Sequence, residues 1–314
     1  MKKRHLRNVF TFLLFIMVSA TWGTTWFAMK IAVETIPPFF ATGLRFLLAS
    51  PALLLIAKYY GKPLLFPKGQ RVFQLIICIF YFALPFTFMI YGEETVSSGM
   101  ASIIFSFMPI AVVILSHCLL NHGITKVQVA GVFISIVALG VIINHESGTV
   151  TIQGWKGVAA LAAAVILHAI IYVRCKKLCA EISVLTYNTL PCLGAGILLV
   201  VFGVIFEKVS ASAISTESLL SVAYLGVVSG VFGIIAYFQL QQRVKPFHAS
   251  LVFFIFPIIA ILLESYITGQ TISMLSLWML PLLLTGVFLV LMPTSWFPWQ
   301  AQNDTAKNLA DANE

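Results

Sequence analysis

The sequence predicts an all-α membrane protein, with ten transmembrane helices built as two inverted five-helix repeats and both termini cytoplasmic. Three observations carry this reading. First, the 314 residues are 60% hydrophobic and only 10% charged, with a mean hydropathy of +0.99. Soluble domains carry about 25% charged residues, so this chain lacks the charge to cover a water-facing surface. Second, its apolar stretches are long and unbroken, near the roughly 20 residues a helix needs to cross a bilayer. They are not the alternating runs of about ten that a barrel strand needs. Third, one half of the chain echoes the other at a constant offset.

Taken in order, the spans fall near 9–29, 36–57, 72–91, 97–120, 125–144, 155–174, 183–206, 218–239, 246–267 and 272–292. The first follows a basic segment, Lys2, Lys3, Arg4 and Arg7, and Val18-Ser19-Ala20 resembles a signal-peptidase site. The apolar run nevertheless continues through Phe27, Ala28 and Met29 and nine spans follow, so the first helix is read as uncleaved. The polar tail 298–314, which contains both Asp residues (Asp304 and Asp311), is expected to be disordered and cytoplasmic. The cysteines Cys78, Cys118, Cys175, Cys179 and Cys192 are scattered without a CxxC pair and are read as reduced.

Orientation follows from Lys and Arg in the short loops. With the N-terminus inside, fifteen of the 19 fall on the cytoplasmic side, and only Lys30, Lys156 and Lys208 fall outside. The last, Arg45, lies within a span. The net charge of +8 is therefore a topology signal and not a nucleic-acid-binding face.

The repeat appears where Val96, Ala101, Ser102, Phe105, Pro109 and Ile110 lie over Val244, Ala249, Ser250, Phe253, Pro257 and Ile258, all at an offset of 148. Gly140 and Gly286 match at 146. This register pairs span four with span nine, giving a first repeat over 1–147 and a second over 148–297. Five is odd, so the second copy enters the membrane upside down. The loops agree: Glu93 and Glu94 precede span four, whereas Arg243 and Lys245 precede span nine. Inverted repeats are a transporter architecture in which two halves rock about a site near the midplane.

The residues also resemble a known family. Trp22-Gly23 followed by Lys30, the Arg45-Phe46 pair, the Ala101-Ser102…Pro109 segment and its Ala249-Ser250…Pro257 echo are similar to the EamA family of the drug/metabolite transporter superfamily. The resemblance covers the membrane-embedded chain. It implies ten helices in two five-helix repeats, residence in the inner (plasma) membrane, and export of amino acids or related metabolites. One departure is His168-Ala169 in span six, where a Trp-Ala pair is frequent in the family.

Ionisable groups at depth are costly and mark function by default. Arg45 sits about eight residues, hence about 12 Å, below the outer end of its span. It is read either as a bidentate clamp on a substrate carboxylate or phosphate or as a structural donor to backbone carbonyls. Lys30 closes span one and is read as a snorkelling residue, with Glu264, the one carboxylate inside an apolar stretch, as candidate counter-charge; Lys30 and Glu264 are both candidate coupling or gate residues. His168 could titrate near neutrality or be a hydrogen-bonded core residue. Trp22, Tyr81 and Tyr237 are candidate cavity aromatics, with Asn188 and Gln239 adding amides. Trp26 and Tyr91 are expected in the interfacial belts. Pro109 and Pro257 are candidate hinges, and Ser98, Ser102 and Ser106 a packing stripe.

The expected function is a secondary transporter exporting amino acids or related small amphipathic metabolites, with no cofactor and no bound metal. Its partners are a small-molecule substrate and the lipid bilayer, not nucleic acid, and monomer and homodimer both fit the sequence. The alternative is an integral membrane enzyme acting on a lipid-like substrate. It would require paired carboxylates or a His/carboxylate pair at one membrane face, and no Asp, HExxH or GxSxG is available for that. ATP-driven transport by this chain alone is excluded by the lack of a P-loop sequence.

Overall fold

A computed structural model describes residues 2–120, 123–147, 152–179, 181–244, 246–269 and 272–292. The tail expected over 298–314 lies outside them. Among the described residues there are ten helices long and apolar enough to span a bilayer and no strand. They are α1 (Val9–Val33), α2 (Pro38–Tyr59), α3 (Lys68–Gly92), α4 (Ser98–Leu120) and α5 (Lys126–Glu146), then α6 (Gly154–Leu178), α7 (Val184–Phe206), α8 (Thr216–Tyr237), α9 (His248–Thr268) and α10 (Met274–Leu291). Each lies on one of the expected runs, with ends displaced by at most four residues.

The bundle has its polarity reversed relative to a soluble protein. Large apolar side chains face outward, among them Leu55, Phe133, Ile205, Phe206 and Phe232, while Ser50, Ser102, Thr42 and Thr189 are buried. This is the distribution expected where lipid is the solvent and small or hydroxyl-bearing residues let helices approach closely.

Two antiparallel pairs have the closest backbones. In α2 and α7, a Cβ on Gly43 would stand 2.6 Å from the Val200 nitrogen, and one on Gly203 would stand 2.9 Å from the Phe40 nitrogen. Only glycine permits that approach. In α5 and α10, Ser135 donates to the Leu283 carbonyl at 3.3 Å and the Gln128 amide to the Val290 carbonyl at 3.1 Å. Helix α1 runs through the middle of the larger hydrophobic core, against α4, α8 and α9.

The third and eighth helices share an irregularity. Residues Cys78–Ala83 of α3 and Tyr224–Gly233 of α8 are wound as π-helix, at positions 146 to 150 residues apart. Such bulges re-aim side chains and cluster at functional sites. In α8 the bulge places Tyr224 Oη 2.5 Å from Thr24 Oγ1 and Ser229 Oγ 2.7 Å from Thr25 Oγ1, both on α1.

Helix α4 is interrupted at Ser106 and Phe107, just before Pro109. Helix α9 is interrupted at Leu251, and Pro257 lies within its continuous part, Val252–Thr268. The two candidate hinge prolines therefore differ in setting. Pro109 opens a new helical segment, where its missing N–H costs little, whereas Pro257 leaves the Phe253 carbonyl without its usual donor.

Candidate functional site

The site is built around Arg45. It is 3% exposed, and its chain neighbours on α2 pack against α7 and the π segment of α8. There a Cβ on Gly226 would meet the Arg45 carbonyl oxygen at 2.5 Å. The guanidinium carbon stands 5.0 Å from the centroid of Phe86 and 5.8 Å from that of Phe46, and Nη1 is 3.7 Å from the Met29 sulfur. Among the described residues no carboxylate pairs with it. Aromatic faces offer a desolvated cation about 2 kcal/mol, so this charge is cushioned by rings and a thioether but keeps unspent capacity to bind an anion.

From Phe86 an aromatic chain runs across the bundle. The His168 ring stands 5.1 Å from Phe86, 5.0 Å from Tyr81 and 5.7 Å from Phe105, edge-on to each. Phe105 meets Trp26 at 5.2 Å, and Trp26 meets Phe256 at 6.2 Å. Phe256 and Trp22 both contact Phe253 at 5.8 Å, and Trp22 meets Tyr237 at 4.7 Å. Rings at these separations favour edge-to-face and offset contacts. The chain gathers residues from α1, α3, α4, α6, α8 and α9, and so from both halves of the sequence.

Four of the expected site residues, Trp22, Tyr81, His168 and Tyr237, are thus joined to Arg45 through ring contacts. His168 is buried, with Nδ1 3.1 Å from the Ala164 carbonyl one turn back. Asn188 is buried but turned on its own helix, its amide donating to the Val184 carbonyl at 2.8 Å. Gln239, expected to add an amide to the cavity, is exposed. Trp26, expected in the interfacial belt, is 3% exposed and packs on Phe105 and Phe256. Its place near the end of the apolar run misled the reading, because α1 continues to Val33. Beside Tyr81, a void of about 10 Å³ lined by Ile77, Tyr172, Cys175 and Tyr187 has room for at most one water.

A second polar cluster occupies the end of the bundle where α1 finishes and α4 begins. The Glu264 carboxylate on α9 does not pair with Lys30. It accepts the backbone N–H of Ser98 at 2.9 Å and of Gly99 at 2.7 Å, capping α4 from another helix. The Lys30 ammonium donates to the Glu93 carbonyl at 2.5 Å and the Val96 carbonyl at 3.5 Å. Buried donors take the acceptors they can reach, and the carbonyls of the 93–96 turn lie closer than the α9 carboxylate. Glu93 itself is fully buried, with Oε2 accepting from Ser98 Oγ at 3.1 Å. Nothing in the short polar loop around Glu93 signals this burial, which comes from the helices packed over it.

Comparison with known proteins places this geometry. The sequence profile of the EamA-like transporter family matches the chain twice, over residues 9–144 and 155–292, one match to each half. The chain is 53% identical to Protein PagO of Salmonella typhimurium over 91% of its own length and 94% of that protein. It is 47% identical to an uncharacterized transporter of Buchnera aphidicola, over 93% of this chain and 97% of the other. At 26% identity it resembles the uncharacterized inner membrane transporter YedA of Escherichia coli, over 88% and 89% of the two chains. One crystal structure superposes with a TM-score of 0.64 at 17% identity, over 89% of this chain and 95% of that one, which speaks for the fold. With ten membrane-spanning helices and a family match over both halves, the chain belongs to the EamA-like transporter family and is a multi-pass protein of the inner membrane.

Proposed function

We propose that the chain is a secondary transporter that exports amino acids or related small amphipathic metabolites, with Arg45 holding the substrate's carboxylate. The observation that carries this is a guanidinium buried at mid-depth without a carboxylate partner, set among rings drawn from both halves. Exposure to lipid would cost such a group at least ~2.5 kcal/mol, and a planar fork beside aromatic walls suits a ligand with an anionic end and an apolar body. Trp22, Tyr81, His168 and Tyr237 would line the apolar part, and Asn188 would join them only after leaving its own helix carbonyl.

Transport would proceed by alternating access between repeats over 1–147 and 148–297, inverted with respect to each other, with both termini cytoplasmic. In support, α2 with α7, α4 with α9 and α5 with α10 run antiparallel, and the π segments of α3 and α8 occupy matching positions. On the charge-based orientation, the end tied by Glu264 faces outward, so this conformation is closed to the outside.

Cells that hydrolyse fed dipeptides would test the reading. Expression should speed the clearance of aromatic and branched amino acids, and Arg45→Lys should abolish the gain at normal protein level, because a point charge replaces a planar fork. Unchanged clearance with Arg45→Lys would remove Arg45 from the site, and no clearance of any amino acid would move the search to other anionic metabolites.

A further inference from the structure

The cluster at the acidic end contains a group that the proposed transport cycle does not use. The side chain of Glu93 is 0% exposed, and while its Oε2 meets Ser98 Oγ, Oε1 has no hydrogen-bond partner among the described residues. An ionised carboxylate in that setting would leave a buried charged oxygen unsatisfied, which is strongly disfavoured. A protonated one needs far less. Ser98 is also the residue whose backbone N–H is held by Glu264, so a single residue connects Glu93 to the junction between α4 and α9.

The charges facing Glu93 can be enumerated. From α1 comes Lys30, whose ammonium is committed to the Glu93 and Val96 carbonyls. From α9 comes Glu264, committed to the start of α4. Its own loop supplies Glu94, which faces solvent, with Glu207 beyond it. Helix α6 packs on the turn through Gly157, where a Cβ would stand 2.8 Å from Val96 Cγ2, and the neighbouring Lys156 points to solvent. Burial pushes the Glu93 carboxyl well above the usual carboxylate range and Glu264 adds to this, against the opposing pull of Lys30 and Ser98.

We propose that this junction is a proton-binding latch: Glu93 carries a proton while the start of α4 is seated on Glu264, and releases it when α4 and α9 part. The bound species is H⁺, taken from water on the acidic side, and the only bond made or broken is the carboxyl O–H. This deepens the transport reading by naming the coupling ion and its site, and it rests on that reading for the parting of the helices.

The sign follows from linkage. Parting the helices hydrates Glu93 and returns it to the ordinary range near ~4.3. Between that value and its raised buried value, closing takes up a proton. Each unit of rising pH then lowers the closed-to-open ratio by up to about tenfold. Acid closes the latch and alkali opens it. Ser98 Oγ donates to the ionised form, so Ser98→Ala lowers the closed population at alkaline pH, where Glu93 is ionised in both states, and leaves the acid side unchanged.

The test is an inter-spin distance between labels at Thr95 and Tyr266, both exposed at this end. It uses the full chain with its five cysteines replaced, reconstituted in liposomes and titrated from acid to alkaline pH. The expected result is a short distance in acid that lengthens as pH rises, a short distance at every pH in Glu93→Gln, and in Ser98→Ala a smaller short-distance population at alkaline pH with the acid value unchanged. A distance independent of pH in the parent chain would overturn the proposal. So would the same transition surviving in Glu93→Gln. If Glu93→Gln fails to fold, Ser98→Ala decides: a loss of the short distance confined to alkaline pH supports the latch, and a change in acid, or none at any pH, overturns it. No substrate is present, so the outcome is independent of the export assay.

Discussion

The two ends of the bundle are held in different ways. At the acidic end, carboxylates from one helix cap the start of another. Glu207 at the end of α7 accepts the Phe39 and Phe40 N–H groups of α2, both at 2.9 Å. Glu264 on α9 does the same for α4, and Glu146 on α5 accepts from Ser273 and Ser276 at the start of α10. Thr35 with Ser215, and Ser218 with the Ile31 carbonyl, add ties between α1 and α8. At the basic end Gln128 donates to the Val290 carbonyl, and Arg243 stands 4.7 Å over the Phe10 ring. A helix start carries unsatisfied N–H groups and a positive dipole end, so a carboxylate borrowed from a neighbour both caps the helix and fixes the neighbour's position. The difference teaches that charged carboxylate caps tie the acidic end, whereas Gln128 ties the basic end through a neutral amide.

The strongest way to break this comparison is Glu264→Ala. It strips two charge-assisted bonds from the start of α4 and leaves the Ser98 and Gly99 N–H groups buried without acceptors. Each such bond is worth about 1.5–3 kcal/mol, so a loss of roughly 3–5 kcal/mol is expected. Thermal unfolding in detergent should record it, together with a lengthened Thr95–Tyr266 distance. A stability within about 1 kcal/mol of the parent would mean that Glu264 is dispensable to closure.

A smaller effect is expected from Glu207→Gln. The amide keeps one acceptor for Phe39 or Phe40 but loses the charge facing the helix dipole, and Glu207 is partly exposed. The cost should be about 1 kcal/mol. The α2–α7 pair should stay associated, because its close backbone approach at Gly43 and Gly203 does not depend on the carboxylate. Cross-linking of cysteines placed along that interface would check this, and separation of the pair would show the cap to be the main bond.

Much of this architecture was legible in the sequence. A span announces itself by some twenty apolar residues with no competing interpretation, so all ten appear where expected. Arg45 stood out because charge at depth is rare. What was not legible depends on contacts between segments distant in sequence. Glu264 read as a counter-charge to Lys30 because residues of opposite sign at one level suggest a pair, yet its carboxylate is taken by N–H groups that carry no sequence signature. The burial of Glu93 was not legible because burial of a loop is set by the helices packed over it. The π segments leave no trace either, since Cys78–Ala83 and Tyr224–Gly233 are as apolar as any regular helix.

The smallest expected effect is the control that sharpens the contrast. Gln128→Ala removes the Gln128 tie at the basic end and also the Gln128 Oε1 that accepts the Thr125 N–H at 3.0 Å in a reciprocal cap with Thr125 Oγ1. Neutral bonds of this sort contribute about 0.5–1.5 kcal/mol each, and Gln128 is half-buried, so water can replace part of what is lost. A decrease near 1 kcal/mol is expected, with the Thr95–Tyr266 distance at the far end unchanged. If Gln128→Ala instead cost as much as Glu264→Ala, the basic end would be locked as firmly as the acidic one. The contrast between charged and neutral ties would then carry no difference in strength.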